Sequence, residues 1–200
     1  MSDRPDLAAL LGSRICHDLI SPIGAIGNGV ELVMMEGTGR TSPEMLLVSE
    51  SVSSANARLR FFRIAFGQGS LDQRIGRAEI GAILRDIGRG SRMKVEWRIE
   101  TDLSRNEAKL AFLALLCLET AMAFGGHVTI SLENRRLQLV GKAERLRLDA
   151  ELWDILAGHT ASGAEITPAL VHFALLTEEA ARKMRHLSVE LQESRIRISV

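Results

Sequence analysis

The sequence predicts an α+β protein: an N-terminal helical hairpin pairing into a dimeric four-helix bundle, followed by a C-terminal α/β sandwich. Three observations predict it. The first third carries apolar residues at helical spacing through two long segments, with no strand-like alternation. Beyond residue 77, segments of period two begin to alternate with helical ones, the signature of a sheet with helices packed on it. The change falls in a Gly-containing stretch, residues 67–76, dividing the chain into residues 1–72 and 73–200.

The elements follow in order. Residues 5–35 read as one helix that runs through Pro22. Glu36 to Gly39 make a loop, and Ser42-Pro43 start a second helix to residue 66, Ser42 as N-cap and Pro43 at the first helical position. Residues 77–87 form a short amphipathic helix with Ile80, Ile83, Leu84 and Ile87 on one side. Residues 94–100 alternate, placing Val95, Trp97 and Ile99 on one face of a strand. Ser104 and Glu107 form a capping box that opens a helix to residue 124. Residues 128–133 and 136–141 flank Asn134-Arg135 as a hairpin. A short helix over 148–157 follows. Thr167-Pro168 cap and start another to residue 186, and strands at 188–192 and 196–200 close the sheet.

Composition narrows the function. Among 200 residues, 25% are charged and 46% apolar, and the formal net charge is zero, the profile of a globular protein. A neutral balance offers no electrostatic reason to bind nucleic acid or an anionic membrane. The longest apolar run, residues 110–118, is too short to span a bilayer. Cys16 and Cys117 stand far apart and read as reduced, buried small hydrophobes of a cytoplasmic protein, and the N-terminus has no signal-peptide pattern. His127, His159, His172 and His186 are scattered without metal-ligand spacing.

His17 stands out on the first helix. At about 100° per residue, Leu11, Ile15, Leu19, Pro22, Ile23, Ile26, Val30 and Val33 fall opposite it, as a buried stripe. Its own flank holds Ser13, Arg14, Ser21, Gly24 and Asn28, with Leu10 and Ile20 as apolar exceptions, so the imidazole is expected in solvent. Asp18 is placed to orient the ring. Pro22 costs a helix interior about 3 kcal/mol, and Gly24, Gly27 and Gly29 each up to about 1 kcal/mol. Residues this unfavourable beside a displayed histidine suggest a surface shaped for a partner's approach. The second helix is apolar on two arcs: Leu46, Leu47, Ala57, Phe61 and Ile64 on one, Val48, Val52, Ala55, Leu59, Phe62 and Phe66 on the other. A homodimeric bundle covers both; packing of the second arc on the C-terminal part is the alternative.

Residues 13–32, SRICHDLISPIGAIGNGVEL, resemble the histidine box of two-component signalling proteins. Their wording is similar to histidine phosphotransferases of the ChpT type from alphaproteobacteria, and the element order extends the resemblance over the chain. That family joins a dimerisation hairpin to a histidine-kinase-like ATPase domain that has lost ATP binding. Two features agree: the helix over 108–124 has no Asn to hold magnesium and phosphates, and GKAERLR follows the hairpin where an Asp-x-Gly-x-Gly loop is needed. Glu119, Glu144 and Glu165 then read as solvated surface groups, and Gly158 and Gly163 as isolated glycines.

The resemblance implies a phosphorelay in which Nε2 of His17 attacks a receiver-domain aspartyl phosphate. Asp18 orients the ring or takes its proton, and Ser21 lines the approach. Arg14 steadies the phosphoryl group or pairs with a receiver carboxylate; Leu10, Ser13, Ile20, Gly24, Ala25 and Asn28 complete the docking surface. No cofactor is implied on this chain, neither ATP nor metal; Mg²⁺ is expected on the receiver. The implied partners are response-regulator receivers and a hybrid histidine kinase; the sequence leaves open whether the C-terminal part touches them, residues 146–166 being the region to look at. A non-catalytic dimeric adaptor for receivers is the alternative, although it has no need of His17; a phosphatase would need a better water-aiming group than Ser21.

Overall fold

The computed structural model describes residues 7–36, 43–67, 73–158 and 166–200. Of the loop expected at 36–39, Glu36 instead ends the first helix; residues 37–39, the Ser42 cap, His159, Gly163 and Glu165 lie outside the described residues. Helix α1 spans Leu7–Glu36 and keeps Pro22 in its interior. Pro22 has no N–H to give the Asp18 carbonyl, so the helix is weakened in the turn carrying the histidine. Helix α2 spans Pro43–Ala65 and packs along α1. The helices approach closely at Gly29, where a Cβ would run into Val48 and the Glu44 carbonyl. That glycine therefore serves the hairpin itself, not a partner; Gly24 and Gly27 face open space.

The rest is a sandwich. Strand β1 (Arg74–Ile75) pairs antiparallel with β3 (Leu103–Ser104), a two-stranded sheet that no sequence period announced. A five-stranded sheet has the order β2-β4-β5-β7-β6. It is built from β2 (Met93–Trp97), β4 (Gly126–Glu133), β5 (Arg136–Lys142), β6 (Ser188–Gln192) and β7 (Arg195–Ser199). β2 and β4 are parallel, joined by a crossover through helix α4 (Arg105–Ala121), and the other neighbours are antiparallel. The β4–β5 turn holds Asn134 and Arg135 at φ 50° and 64°, the left-handed pair a two-residue hairpin needs.

Helices α3 (Arg77–Gly88), α5 (Ala150–Leu156) and α6 (Val171–Arg182) complete the layer. The helix expected from Thr167 instead begins as a 3-10 turn, Pro168–Leu170, and Thr167 makes no side-chain cap. The core centres on α4, whose residues 110–118 are all buried against Ile80 and Ile83 of α3, Val128 and Ile130 of β4, and Ile196 and Ile198 of β7. A helix this apolar all round is one enclosed on every side.

The apolar arcs of α2 divide by height and, at Leu59, by side. Ala55, Ala57, Phe61, Phe62 and Ile64, drawn from both arcs, are buried, with Phe61 stacked on Phe112 of α4 at 4.6 Å. Leu46, Leu47, Val52 and Leu59 stay exposed. The C-terminal half of α2 lies on α3 and α4, while its first turns reach past them. The stripe of α1 is corrected likewise: Leu11, Ile15, Leu19, Pro22, Ile26 and Val33 are half-buried, but Ile23 and Val30 are exposed, because α2 covers only part of that arc. Among the described residues no helix is long and apolar enough to cross a membrane.

Ser104 closes β3 and caps α4. Its Oγ accepts from the Glu107 N–H at 3.2 Å, and the Glu107 carboxylate accepts from the Ser104 N–H at 3.1 Å. Ser104→Ala removes this reciprocal pair at the start of the central helix and is expected to cost about 1 kcal/mol, read as a lower urea midpoint with an unchanged m-value.

Candidate functional site

His17 and Asp18 sit in the N-terminal half of α1, one turn before Pro22. The His17 side chain is 85% exposed and that of Asp18 only 10%. Nδ1 of the ring lies 3.0 Å from Oδ1 of Asp18. A carboxylate only accepts, so in the neutral ring this bond puts the proton on Nδ1 and leaves the lone pair on Nε2, facing solvent.

The second oxygen of Asp18 is also engaged. Oδ2 accepts from Nε of Arg14 at 2.8 Å, and the Arg58 guanidinium stands 3.9 Å away. Arg14 in turn donates from Nη1 to the Ala169 carbonyl at 2.5 Å, reaching from the hairpin to the 3-10 turn before α6. This corrects the part expected of Arg14. Its side chain is 18% exposed and committed within the chain, and it does not stand free for a phosphoryl group.

Ser13, Ile20, Ser21, Gly24 and Asn28 are exposed around His17, and Leu10 and Ala25 are half-buried. Ser21 follows His17 by four residues on the same helix face. Cys16, expected to be buried, is exposed, because it points away from both α2 and the sandwich layer; Cys117 is buried in α4, where desolvation pushes its thiol well up.

Behind Asp18 opens a cleft of about 930 Å³ between α2, α3 and α4, lined among others by Arg14, Arg58, Arg60, Asp86 and Glu119. Glu119 is thus more than a solvated surface group. Its carboxyl reaches solvent through the cleft, yet the crowding protein raises its pKa, while Arg58 and Arg14 pull it the other way. Glu144 is an exposed residue after β5. An Asp-x-Gly-x-Gly run does occur, at Asp86-Ile-Gly-Arg-Gly90, but it precedes α4 and ends α3 instead of following the hairpin. Its Asp86 is paired with Arg60 and Arg89, and Gly90 turns the chain at φ 74°. Among the described residues no three His, Cys, Asp or Glu side chains form a metal-like cluster.

His172 was read as one of four scattered histidines, and nothing in its spacing marks it. It is fully buried in the first turn of α6. The Thr120 hydroxyl donates to the Leu116 carbonyl at 3.1 Å, so it accepts from Nε2–H of His172, also at 3.1 Å. Nδ1 then has no partner. Burial, helped by the charge of Arg14, lowers the pKa of His172 to about 3. His127 is exposed and meets Glu96 at 3.3 Å; His186 is exposed. Trp97 is half-buried against the core, as expected of a strand residue.

Known proteins bear on this geometry. A family model described as the histidine phosphotransferase C-terminal domain matches residues 77–195. The protein phosphotransferase ChpT of Brucella abortus (strain 2308) is 35% identical over 191 residues, spanning 90% of this chain and 88% of that protein. A solved structure of a bacterial phosphotransferase superposes with a TM-score of 0.81 at 31% identity, covering 97% of this chain and 95% of the other.

His172 makes stability pH-dependent. It is neutral when folded down to about pH 3 but protonates near pH 6.5 when unfolded. Between those values the unfolded chain binds more protons, so stability rises with pH through the window and is fully present above about 6.5. His172→Gln, which keeps a donor for Thr120 but does not titrate, is expected to flatten the change in urea midpoint between pH 7 and pH 5.

Proposed function

The chain belongs to the histidine phosphotransferase family, and from that premise we propose that its phosphoryl group is carried on Nε2 of His17, between receiver-domain aspartates. The observation that carries this reading is a ring exposed to solvent with Nδ1 held by Asp18. The Nε2 lone pair attacks the phosphorus of a receiver's aspartyl phosphate. The P–O bond to that aspartate breaks, its electron pair restores the carboxylate, and an N–P bond forms. The ring, still protonated at Nδ1, becomes positive, and Asp18 balances that charge. A second receiver aspartate reverses the step, and the N–P electron pair returns to Nε2. No proton leaves the ring in either direction.

The rest of the chemistry belongs to the partner, which supplies the aspartate and the Mg²⁺ that shields its phosphate. Ile20, Ser21 and Gly24 offer a small-residue approach beside the ring, flanked by Leu10, Ser13, Ala25 and Asn28. A hybrid histidine kinase is the natural first donor, and transfer follows the relative phosphorylation of the partners. A non-catalytic adaptor has no use for a histidine held in this manner. ATP has no part in the scheme: Asp86 is ion-paired with arginines, and Glu119 and Thr120 of α4 face the cleft and His172. Cytoplasmic residence fits this partnership and the two free thiols.

We also infer a homodimer. Ile23, Val30, Leu46, Leu47, Val52 and Leu59 leave an exposed apolar surface along the hairpin, which a second hairpin covers as a four-helix bundle.

Mixed with a phosphorylated receiver, the wild-type protein is expected to take up label in acid-labile, base-stable form, and His17→Ala to take up none. Labelled ATP alone is expected to leave both unlabelled. Uptake by His17→Ala ends the assignment. Sedimentation is expected to give a dimer for the wild type and a folded monomer for the Val52→Asp, Leu59→Asp double variant.

A further inference from the structure

We propose that Arg14 is a positioning residue of phosphotransfer: it fixes Asp18, and through Asp18 the ring of His17, while itself anchored on the Ala169 carbonyl. The proposal rests on the phosphohistidine reading above. Arg14 lies one helical turn before Asp18, on the side of α1 that faces the 3-10 turn. Its planar group has donors pointing in different directions, so Nε–H holds Oδ2 of Asp18 while Nη1–H holds the Ala169 carbonyl.

The two carboxylate oxygens are thereby divided, Oδ2 to Arg14 and Oδ1 to Nδ1 of His17. Both members of the Arg14–Asp18 pair are largely shielded, at 18% and 10% exposure. Such a pair holds geometry better than an exposed one, which solvent screens.

Without Arg14 the Asp18 carboxylate turns freely, because the torsion next to a planar group is broad. The more exposed Arg58, at 3.9 Å, is too far to replace the hydrogen bond. A ring no longer held at Nδ1 populates the tautomer protonated at Nε2. In that tautomer Nε2 has no lone pair to attack phosphorus. Arg14 itself gains and loses no proton in the step.

The test uses ring-nitrogen NMR and steady-state transfer from a phosphorylated receiver, on the full chain with Arg14→Gln and Arg14→Lys. In the wild type His17 is expected mainly as the Nδ1–H tautomer. In Arg14→Gln it is expected to shift toward Nε2–H, with kcat down by about tenfold or more and KM for the receiver within about twofold of wild type. Arg14→Lys keeps one bond and is expected to fall between; it carries the same test if Arg14→Gln does not fold. An unchanged tautomer with a raised KM makes Arg14 a partner contact and overturns the proposal. An unchanged kcat, with or without a tautomer shift, overturns it too. Failure of the His17 reading shows separately, as label on His17→Ala.

Discussion

Asp18 has two carboxylate oxygens, and the site depends on how they are divided. One holds the Nδ1 side of an exposed imidazole at 3.0 Å, and the other accepts from Arg14 at 2.8 Å. Because Arg14 also reaches the Ala169 carbonyl, one nearly buried carboxylate connects the displayed histidine to the turn before α6. Buried polar groups must find partners, and here satisfying them also sets the orientation of the exposed ring. The same turn leads into His172, whose bond to Thr120 ties α6 to α4. The displayed histidine is thus tied to the central helix by a few specific polar contacts, beside the apolar packing of the hairpin on the core.

The hairpin is held by two kinds of packing. Near the sandwich, α2 gives Phe61, Phe62 and Ile64 to the core, where Phe61 stacks on Phe112. Farther out, the helices hold each other closely at Gly29 and leave leucines and valines exposed. This split gives the molecule an anchored end and an end with unsatisfied apolar surface. His17 lies on α1 between the stretch facing the 3-10 turn and the exposed stretch, accessible from solvent yet braced from behind. The proposed transfer between partners calls for that combination of exposure and fixed orientation.

Much of the fold was legible because its periods are strong. The alternation in residues 94–100, the Ser104–Glu107 capping box and the Asn134-Arg135 turn each marked an element that the structure contains. The two-residue strands β1 and β3 were not legible, since a pair that short has no period to read. The start of α6 was misread because Thr167-Pro168 suits a 3-10 turn as well as an α-helix. His17 was legible from the wheel, as an exposed histidine beside an aspartate. Arg14 was assigned to the partner because the wheel places it on the flank of His17. A wheel cannot tell that a long side chain turns back to a carbonyl 155 residues away in sequence.

The sequence by itself determined the order of elements, the exposure of His17 and the presence of Asp18 beside it, because those follow from helical period and nearest-neighbour placement. It also carried the histidine box on which family membership was first read. Only the tertiary structure decided which apolar residues of α1 and α2 are covered, that Gly29 serves the hairpin, and that His172 is buried with one nitrogen unpaired. The tertiary structure alone also turned Arg14 inward. Local propensity acts over a few residues, whereas burial and the partners of long polar side chains depend on elements that meet only once the chain has folded.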